Sequence, residues 1–281
     1  MNRCIICDRV DVEQAYPGIL RCLGCGHVFC NMPSQNNKLS ELYGKNYFFG
    51  GEYSDYLADK KITRDNFKLR LKKLRKFLDP MRHKRLLEIG CAYGFFLDVA
   101  RSYFGTLKGI DVTADGVAYA RDELGLDVVT DDFLPHDFNG QKFDVVCLWD
   151  TIEHLSDPAG CLSKISKNMM DKGALVAITT GDVGSLNARM KKNKWRIMNA
   201  PTHIHYFSKQ TLSKLLDNNG FDVIYSGYCG FYRSIDMTLH RISLANKGGR
   251  WFCDILRKSG LGRAQFYLNL YDIMYIIARK R

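Results

Sequence analysis

The sequence predicts an α/β fold, a mainly parallel sheet covered by helices on both faces, with a small metal-binding module ahead of it. Two observations carry that expectation. From Arg85 onward, short apolar runs alternate with helical stretches, which is how a covered parallel sheet is written. Near the start, Cys4-Ile-Ile-Cys7 and Cys22-Leu-Gly-Cys25 form two C-x-x-C pairs at zinc-ribbon spacing. The tight turn of each pair lets two thiolates meet one tetrahedral ion.

Taken in order, residues 1–32 are rich in Cys and Gly and form the ribbon module. Four thiolates close a tetrahedral shell, so Cys4, Cys7, Cys22 and Cys25 are expected to hold a structural Zn2+ remote from any chemistry; His27 and Cys30 read as packing residues. Residues 33–84 comprise a polar linker at Pro33 to Lys38, an aromatic stretch with Tyr43, Tyr47, Phe48, Phe49, Tyr53 and Tyr56, and a helix. That helix carries Phe67, Leu71, Leu74 and Leu78 on one stripe and stops at Asp79-Pro80. The aromatic stretch suits a lid, a staple between ribbon and main domain, or both.

Residues 85–245 are expected to form the main domain. Strands are predicted at Leu86 to Ile89, Leu107 to Val112, Val128 to Val129, Phe143 to Trp149, Leu175 to Thr179 and Phe221 to Tyr228. Helices are predicted at Phe95 to Tyr103, Gly116 to Leu124, Ala159 to Met170 and Lys209 to Asn219, the last stopped by Gly220. Residues 246–281 read as a basic, aromatic helical segment suited to an interfacial helix, a dimer contact or a final core element.

At 281 residues, 46% hydrophobic and 25% charged, the chain can bury a substantial core. No run approaches the roughly 18 uninterrupted apolar residues of a spanning helix, and the first residues lack a signal-type apolar run, so a cytoplasmic protein is expected. Ten cysteines without such a signal point to metal ligands and reduced thiols. The net charge of +11 gathers at Lys60 to Arg85, Arg189 to Arg196 and Arg241 to Arg281. It reads as solvated faces, or as surfaces for phosphates, nucleic acid or the inner face of a membrane, the last through the C-terminal segment.

The run Leu86-Leu87-Glu88-Ile89-Gly90-Cys91-Ala92-Tyr93-Gly94-Phe95 takes an apolar strand through a glycine turn into a helix. Gly90 and Gly94 let the backbone pass close to a nucleoside. Ala92 replaces the middle glycine of a dinucleotide-binding turn, and Glu88 would repel a pyrophosphate while suiting a cationic ligand. Asp111 closes the second strand where an acid takes ribose hydroxyls, and Asp131-Asp132-Phe133 closes the third, an acid beside an aromatic wall as an adenine requires.

Glu88-Ile-Gly-Cys-Ala-Tyr-Gly94 resembles motif I of class I S-adenosylmethionine methyltransferases. Phe143-Asp-Val-Val-Cys-Leu-Trp-Asp-Thr-Ile-Glu-His-Leu-Ser-Asp-Pro158, Pro201-Thr-His-Ile-His-Tyr-Phe-Ser-Lys-Gln-Thr-Leu212 and Gly220-Phe221 resemble the branch containing ubiquinone-type methyltransferases. The resemblance spans roughly Arg85 to Tyr228. It implies a Rossmann-like seven-stranded methyltransferase sheet, S-adenosylmethionine as cofactor, and cofactor contacts at Glu88, Gly90, Gly94, Asp111, Asp132, Phe133 and Trp149. The N-terminal layout, Arg21-Cys-Leu-Gly-Cys-Gly-His-Val-Phe29 followed by Leu42-Tyr43, Tyr47-Phe48 and Tyr53-Ser-Asp-Tyr56, resembles zinc-ribbon methyltransferases of bacterial polysaccharide and secondary-metabolite pathways.

That second resemblance implies O-methylation of a sugar, a glycan or a related small acceptor. Sugar C-methyltransferases share the ribbon but carry a further large domain for which this sequence has no room. An RNA methyltransferase gripping phosphates with its ribbon and basic faces is the other alternative, and Phe143 to Pro158 holds no Asn-Pro-Pro-Tyr-like motif for a base amine. A hydroxyl acceptor has a proton to lose. His203 and His205, following the fifth strand, are the candidate bases, and His154 reads as a packing or capping residue.

Overall fold

The computed structural model describes residues 3–31, 56–235, 238 and 264–281. The aromatic residues from Tyr43 to Tyr53, the linker at Pro33 to Lys38, and Trp251 and Phe252 lie outside the described residues.

The ribbon consists of β1 (Val12–Tyr16), β2 (Ile19–Cys22) and β3 (Val28–Cys30), paired antiparallel in that order. Helix α1 (Lys60–Leu74) follows, burying Ile62, Phe67, Leu71 and Leu74 along one stripe as its apolar spacing requires. The main domain then alternates β4 (Arg85–Ile89), α2 (Phe95–Ala100), β5 (Thr106–Asp111), α3 (Ala114–Asp122), β6 (Val128–Thr130), β7 (Val145–Trp149), α4 (Pro158–Lys164) and β8 (Leu175–Gly181). Pro158 opens α4 behind Asp157, whose side chain accepts from the Gly160 N–H at 2.7 Å. Beyond β8 come α5 (Leu186–Lys191), β9 (His205–Tyr206), α6 (Lys209–Asn218), β10 (Phe221–Tyr228), β11 (Phe231–Ser234), β12 (Gln265–Leu268) and β13 (Ile273–Lys280). A capping box starts α6: Ser208 accepts from the Thr211 N–H at 3.2 Å, and the Thr211 hydroxyl accepts from the Ser208 N–H at 2.8 Å.

Seven strands form the main sheet in the order β10-β13-β8-β7-β4-β5-β6. Strands β4 to β8 run parallel, and β13 is antiparallel to both its neighbours. The order reverses at β4, which has β5 on one side and β7 on the other, and a crevice opens at the carboxyl ends of such strands. Alternate residues feed two cores. Leu87, Ile89, Val146, Leu148, Ile178 and Ile276 pack on one face, while Leu86, Val145, Cys147, Ala177, Tyr275 and Ile277 meet α1 and α2 on the other.

Residues 273–280 correct the expected C-terminal helix: they are the strand β13, inside the sheet. Ile273-Met-Tyr-Ile-Ile-Ala278 is a β-branched and aromatic run buried on both faces, the signature of a central strand, and the basic residues around it masked that signal. The sheet therefore extends well beyond residue 245. The ribbon is also less separate than its boundary at 32 implied, because β9 adds a fourth strand to it beside β3.

Candidate active site

At the reversal point, β4 ends in the turn Gly90 to Gly94. Gly90 has φ +76°, and a Cβ there would lie 2.4 Å from the Thr151 hydroxyl; at Gly94, φ +71°, a Cβ would lie 2.6 Å from Leu126. Both positions demand glycine for conformation and for space. Asp111, the last residue of β5, fastens the turn: one carboxylate oxygen accepts from the Ala92 N–H at 2.7 Å, the other from the Thr113 N–H at 2.8 Å and hydroxyl at 2.6 Å. Burial raises the Asp111 carboxyl, against the pull of those donors.

Glu88, one residue before the strand ends, is 2% exposed, and its Oε2 has no hydrogen-bond partner. Burial, then the Asp111 charge, raises its carboxyl well above the ordinary range. A buried acid with an orphaned oxygen beside a glycine cradle fits a cationic ligand, which would supply the missing partner. Arg70 of α1 reaches the same region. Its guanidinium donates to Asp150 at 2.5 Å and lies 5.8 Å from the Trp149 ring centre. Thr179 fixes Asp150 from behind, its hydroxyl donating at 3.0 Å.

The other predicted contacts distribute unevenly. Asp132 is exposed at the end of β6, accepting from the Leu134 N–H at 3.1 Å. Phe133 is buried against Phe138 with the Lys164 ammonium 4.8 Å from its ring centre. Trp149 closes β7 with its ring against Phe96 and Tyr275, at 5.0 and 5.4 Å between centres, and its indole N–H is buried without a partner.

On the far side of β7, the 3-10 turn Ile152–His154 meets the segment before β9. Ligand atoms of Glu153, His154 and His203 lie within 4.8 Å of one another, a group able to handle a proton or hold a cation. Glu153 is 4% exposed with Oε2 unpaired; burial, then the Asp150 charge, pushes its carboxyl up to about 8. His154 Nδ1 bonds the Thr202 carbonyl at 2.8 Å, and its ring stands perpendicular to that of His203, 4.6 Å away. His203 Nδ1 is buried and unpartnered, and burial, helped by His154, pulls its ring down to about 3. It is neutral at every ordinary pH. His205 is elsewhere: its Nδ1 lies 3.2 Å from His27 Nε2 of the ribbon, which places it in the ribbon contact and apart from His203.

The loop after β8 shapes this side. Buried Asp272 accepts from Asn187 at 2.8 Å, the Trp195 indole at 3.0 Å and the Arg196 guanidinium at 2.8 Å, fastening residues 187–196 to the start of β13. Sequence reading missed Arg70, Asp150, Glu153 and Asp272. Glu153 beside His154 was the one legible hint; the others are ordinary charged residues until the chain folds.

In the ribbon, Sγ of Cys4 lies 3.5 Å from that of Cys25, and Cys7 3.5 Å from Cys22, with all four within 4.8 Å of one another. Zinc–sulfur bonds of about 2.3 Å give tetrahedral S···S edges near 3.8 Å, so the cluster fits a zinc ion.

Comparison with known proteins agrees with this geometry. A family described as methyltransferase domain matches residues 62–226. The ubiquinone biosynthesis O-methyltransferase of Actinobacillus pleuropneumoniae serotype 5b (strain L20) is 26% identical over 117 residues, 38% of this chain and 50% of that protein. The chain thus spans about half the length of that curated relative. A SAM-dependent methyltransferase from Thermotoga maritima superposes with a TM-score of 0.54 at 18% identity, covering 84% of this chain and 98% of that one. A Haemonchus contortus N-methyltransferase in complex with phosphomonomethylethanolamine and S-adenosylhomocysteine gives 0.55 at 18% identity, covering 90% of this chain and 61% of that one. With the strand order, the glycine turn and a matched span of more than half its length, the chain belongs to the methyltransferase-domain family.

Proposed function

We propose that the protein transfers the methyl group of S-adenosylmethionine to a hydroxyl oxygen of a small acceptor, a sugar or glycan being the substrate class. The observation that carries this is the pairing at one crevice of two different sites: a glycine turn fastened by Asp111 beside buried Glu88, and a neutral imidazole, His203, beside Glu153. One takes a cationic nucleoside; the other takes a proton.

S-adenosylmethionine, when bound, supplies a methyl group on a sulfonium sulfur. Gly90 and Gly94 give it backbone clearance, Asp111 takes the ribose hydroxyls, Glu88 balances the positive charge, and Asp132 and Trp149 border the base and the reacting end. Arg70 is the cation placed to meet the carboxylate of the methionine portion. On the acceptor side His203 accepts the hydroxyl proton as the oxygen forms its new bond to carbon, and Glu153 and His154 hold and polarise that ring. Zn2+ at Cys4, Cys7, Cys22 and Cys25 is structural.

Calorimetry tests the cofactor assignment: S-adenosylmethionine and S-adenosylhomocysteine bind and NAD does not. NAD binding with no response to either sulfur nucleoside would overturn it. A labelled-methyl screen of glycans, nucleotide-sugars and RNA fragments then identifies the acceptor, and elemental analysis is expected to return one zinc per chain.

A further inference from the structure

The ribbon meets the acceptor side of the site along strand β3, and one residue bridges the two. Ile204 accepts from the Cys30 N–H at 2.8 Å through its carbonyl and donates its own N–H to the Glu153 carbonyl at 2.9 Å. One residue thus joins strand β3 to the turn bearing Glu153 and His154. The neighbouring peptide is held as well, because the Cys30 thiol donates to the His203 carbonyl at 3.2 Å. Phe29 and Val28 pair with His205 and Tyr206. His27, fully buried, lies 3.2 Å from His205, stacks on Phe29 and meets Phe207 at a tilt, 5.0 Å between ring centres.

Residues 203–206 are otherwise held by the loop before them, His203 donating its N–H to the Asn199 carbonyl at 2.9 Å. Strand β9 is two residues long, and β3 is its sole strand partner among the described residues. The ribbon in turn is too small to hold β3 by its own core, and a module of this size folds on its metal. On the cofactor side, by contrast, the glycine turn is fastened from within the main domain: the Gly90 and Cys91 N–H groups donate to the Ile110 carbonyl at 2.9 and 3.2 Å, and the Ala92 N–H to Asp111 at 2.7 Å.

We propose that the ribbon is a positioning element for the reaction: metal binding by Cys4, Cys7, Cys22 and Cys25 fixes β3, and His27 and Cys30 on or beside β3 hold His203 in place against Glu153. The acceptor side of the site then depends on the metal and the cofactor side does not. This revises the expectation of a metal remote from the chemistry, and it rests on His203 being the acceptor-side group of the proposed function.

The test uses the full chain, zinc-loaded and after zinc removal by a chelator, and two zinc-retaining variants. His27→Phe keeps the stacked ring and deletes the hydrogen bond to His205; His27→Gln restores a bonding nitrogen at that position. Three quantities are read: hydrogen exchange of peptides covering 202–207 and 151–156, modification of His203 by diethyl pyrocarbonate, and affinity for S-adenosylhomocysteine. Zinc removal is expected to speed exchange in both peptides and modification of His203 at least tenfold while affinity stays within twofold. His27→Phe should give a smaller increase, about threefold, that His27→Gln reverses.

Unchanged exchange and modification after zinc loss would overturn the proposal, as would loosening that spreads to the Gly90 turn and weakens cofactor affinity. Equal behaviour of His27→Phe and His27→Gln would remove His27 from the positioning role. Failure of the zinc-loaded protein to bind S-adenosylhomocysteine would instead overturn the functional reading, which separates the two failures.

Discussion

The two sides of the crevice are built by different means. The cofactor side has its centre in one stretch of chain from Glu88 to Thr113, tied by Gly90 to Ile110 and by Ala92 to Asp111, with Arg70, Asp132 and Trp149 added from further off. The acceptor side gathers Cys30, Glu153 and His203 from three distant places, Cys30 and His203 lying 173 positions apart. A turn that recognises a nucleoside is a local object, fixed by glycine conformation and one carboxylate. A pocket that selects an acceptor is assembled from loops, and its geometry is only as firm as the elements that clamp them. The first can stay constant while the second is rebuilt for a new substrate.

If that division is real, substitutions on each side should leave the other intact. The largest effect is expected for His203→Ala, which should lower turnover by about a hundredfold or more with whatever acceptor the screen returns, the scale of losing proton transfer. S-adenosylhomocysteine affinity should stay within about twofold of wild type, well under one kcal/mol; an equal loss of binding would break the division. The pH profile sharpens the point. With the His203 ring pulled down to about 3, no inflection is expected near the ordinary imidazole value. Turnover should rise as pH passes about 8, where Glu153 ionises and strengthens the neighbouring ring as a base. Glu153→Gln should abolish that rise.

On the opposite side, Asp111→Ala should weaken cofactor binding by roughly 1.5 to 3 kcal/mol, the cost of losing hydrogen bonds to a charged acceptor. Part of that loss comes from the turn itself, which Asp111 fastens at Ala92. Calorimetry measures it, and hydrogen exchange over 202–207 should be unchanged.

Glu153 also has a stability signature. Its carboxyl ionises near 4.5 in the unfolded chain and near 8 in the folded one. The unfolded state therefore binds fewer protons between those values, and stability falls as pH rises through that window. Glu153→Gln removes the penalty, so the variant should exceed wild type by about 4 kcal/mol at pH 8 and lose that advantage near pH 4. Denaturant titrations at the two pH values decide it; an advantage independent of pH would assign the effect to packing.

The smallest effect belongs to Glu88. Burial raises its carboxyl, and a bound cationic sulfonium would lower it again, so S-adenosylmethionine affinity should rise with pH more than that of S-adenosylhomocysteine, which lacks the sulfonium charge. Calorimetry in two buffers of different ionisation enthalpy measures the proton. Equal pH dependence of the two ligands would place Glu88 outside the charge-bearing part of the site.

What could be read in the sequence follows the same division. Glu88, Gly90, Gly94 and Asp111 were legible because strand, turn and acid follow one another at fixed spacing, and the four cysteines because their ligand geometry is written in two short motifs. The ring of Phe133 lies beside Phe138, a placement the sequence does not show because a residue just past a strand end can turn toward either face. His203 and His205 are both candidate bases in the sequence, with His203 preferred, and the fold separates their surroundings: His203 lies by Glu153 and His154, His205 by His27. Arg70 is one cation among many on α1, and nothing local marks it as the one that meets Asp150. The strand β13 was lost among basic neighbours that pointed to a surface helix.

Strand β13 has a consequence for synthesis. It occupies the place between β8 and β10, so those two strands have no hydrogen-bonding partner on their facing edges until residue 280 has emerged from the ribosome. Strands β4 to β8, with the glycine turn and Asp111, can assemble earlier in parallel order. A nascent chain would then present the glycine turn on a sheet whose β8 edge, on a strand carrying apolar Val176 and Ile178, is open to any extended segment nearby. Closing that edge last makes residues 273–280 the step at which a half-made sheet becomes safe from pairing with another copy.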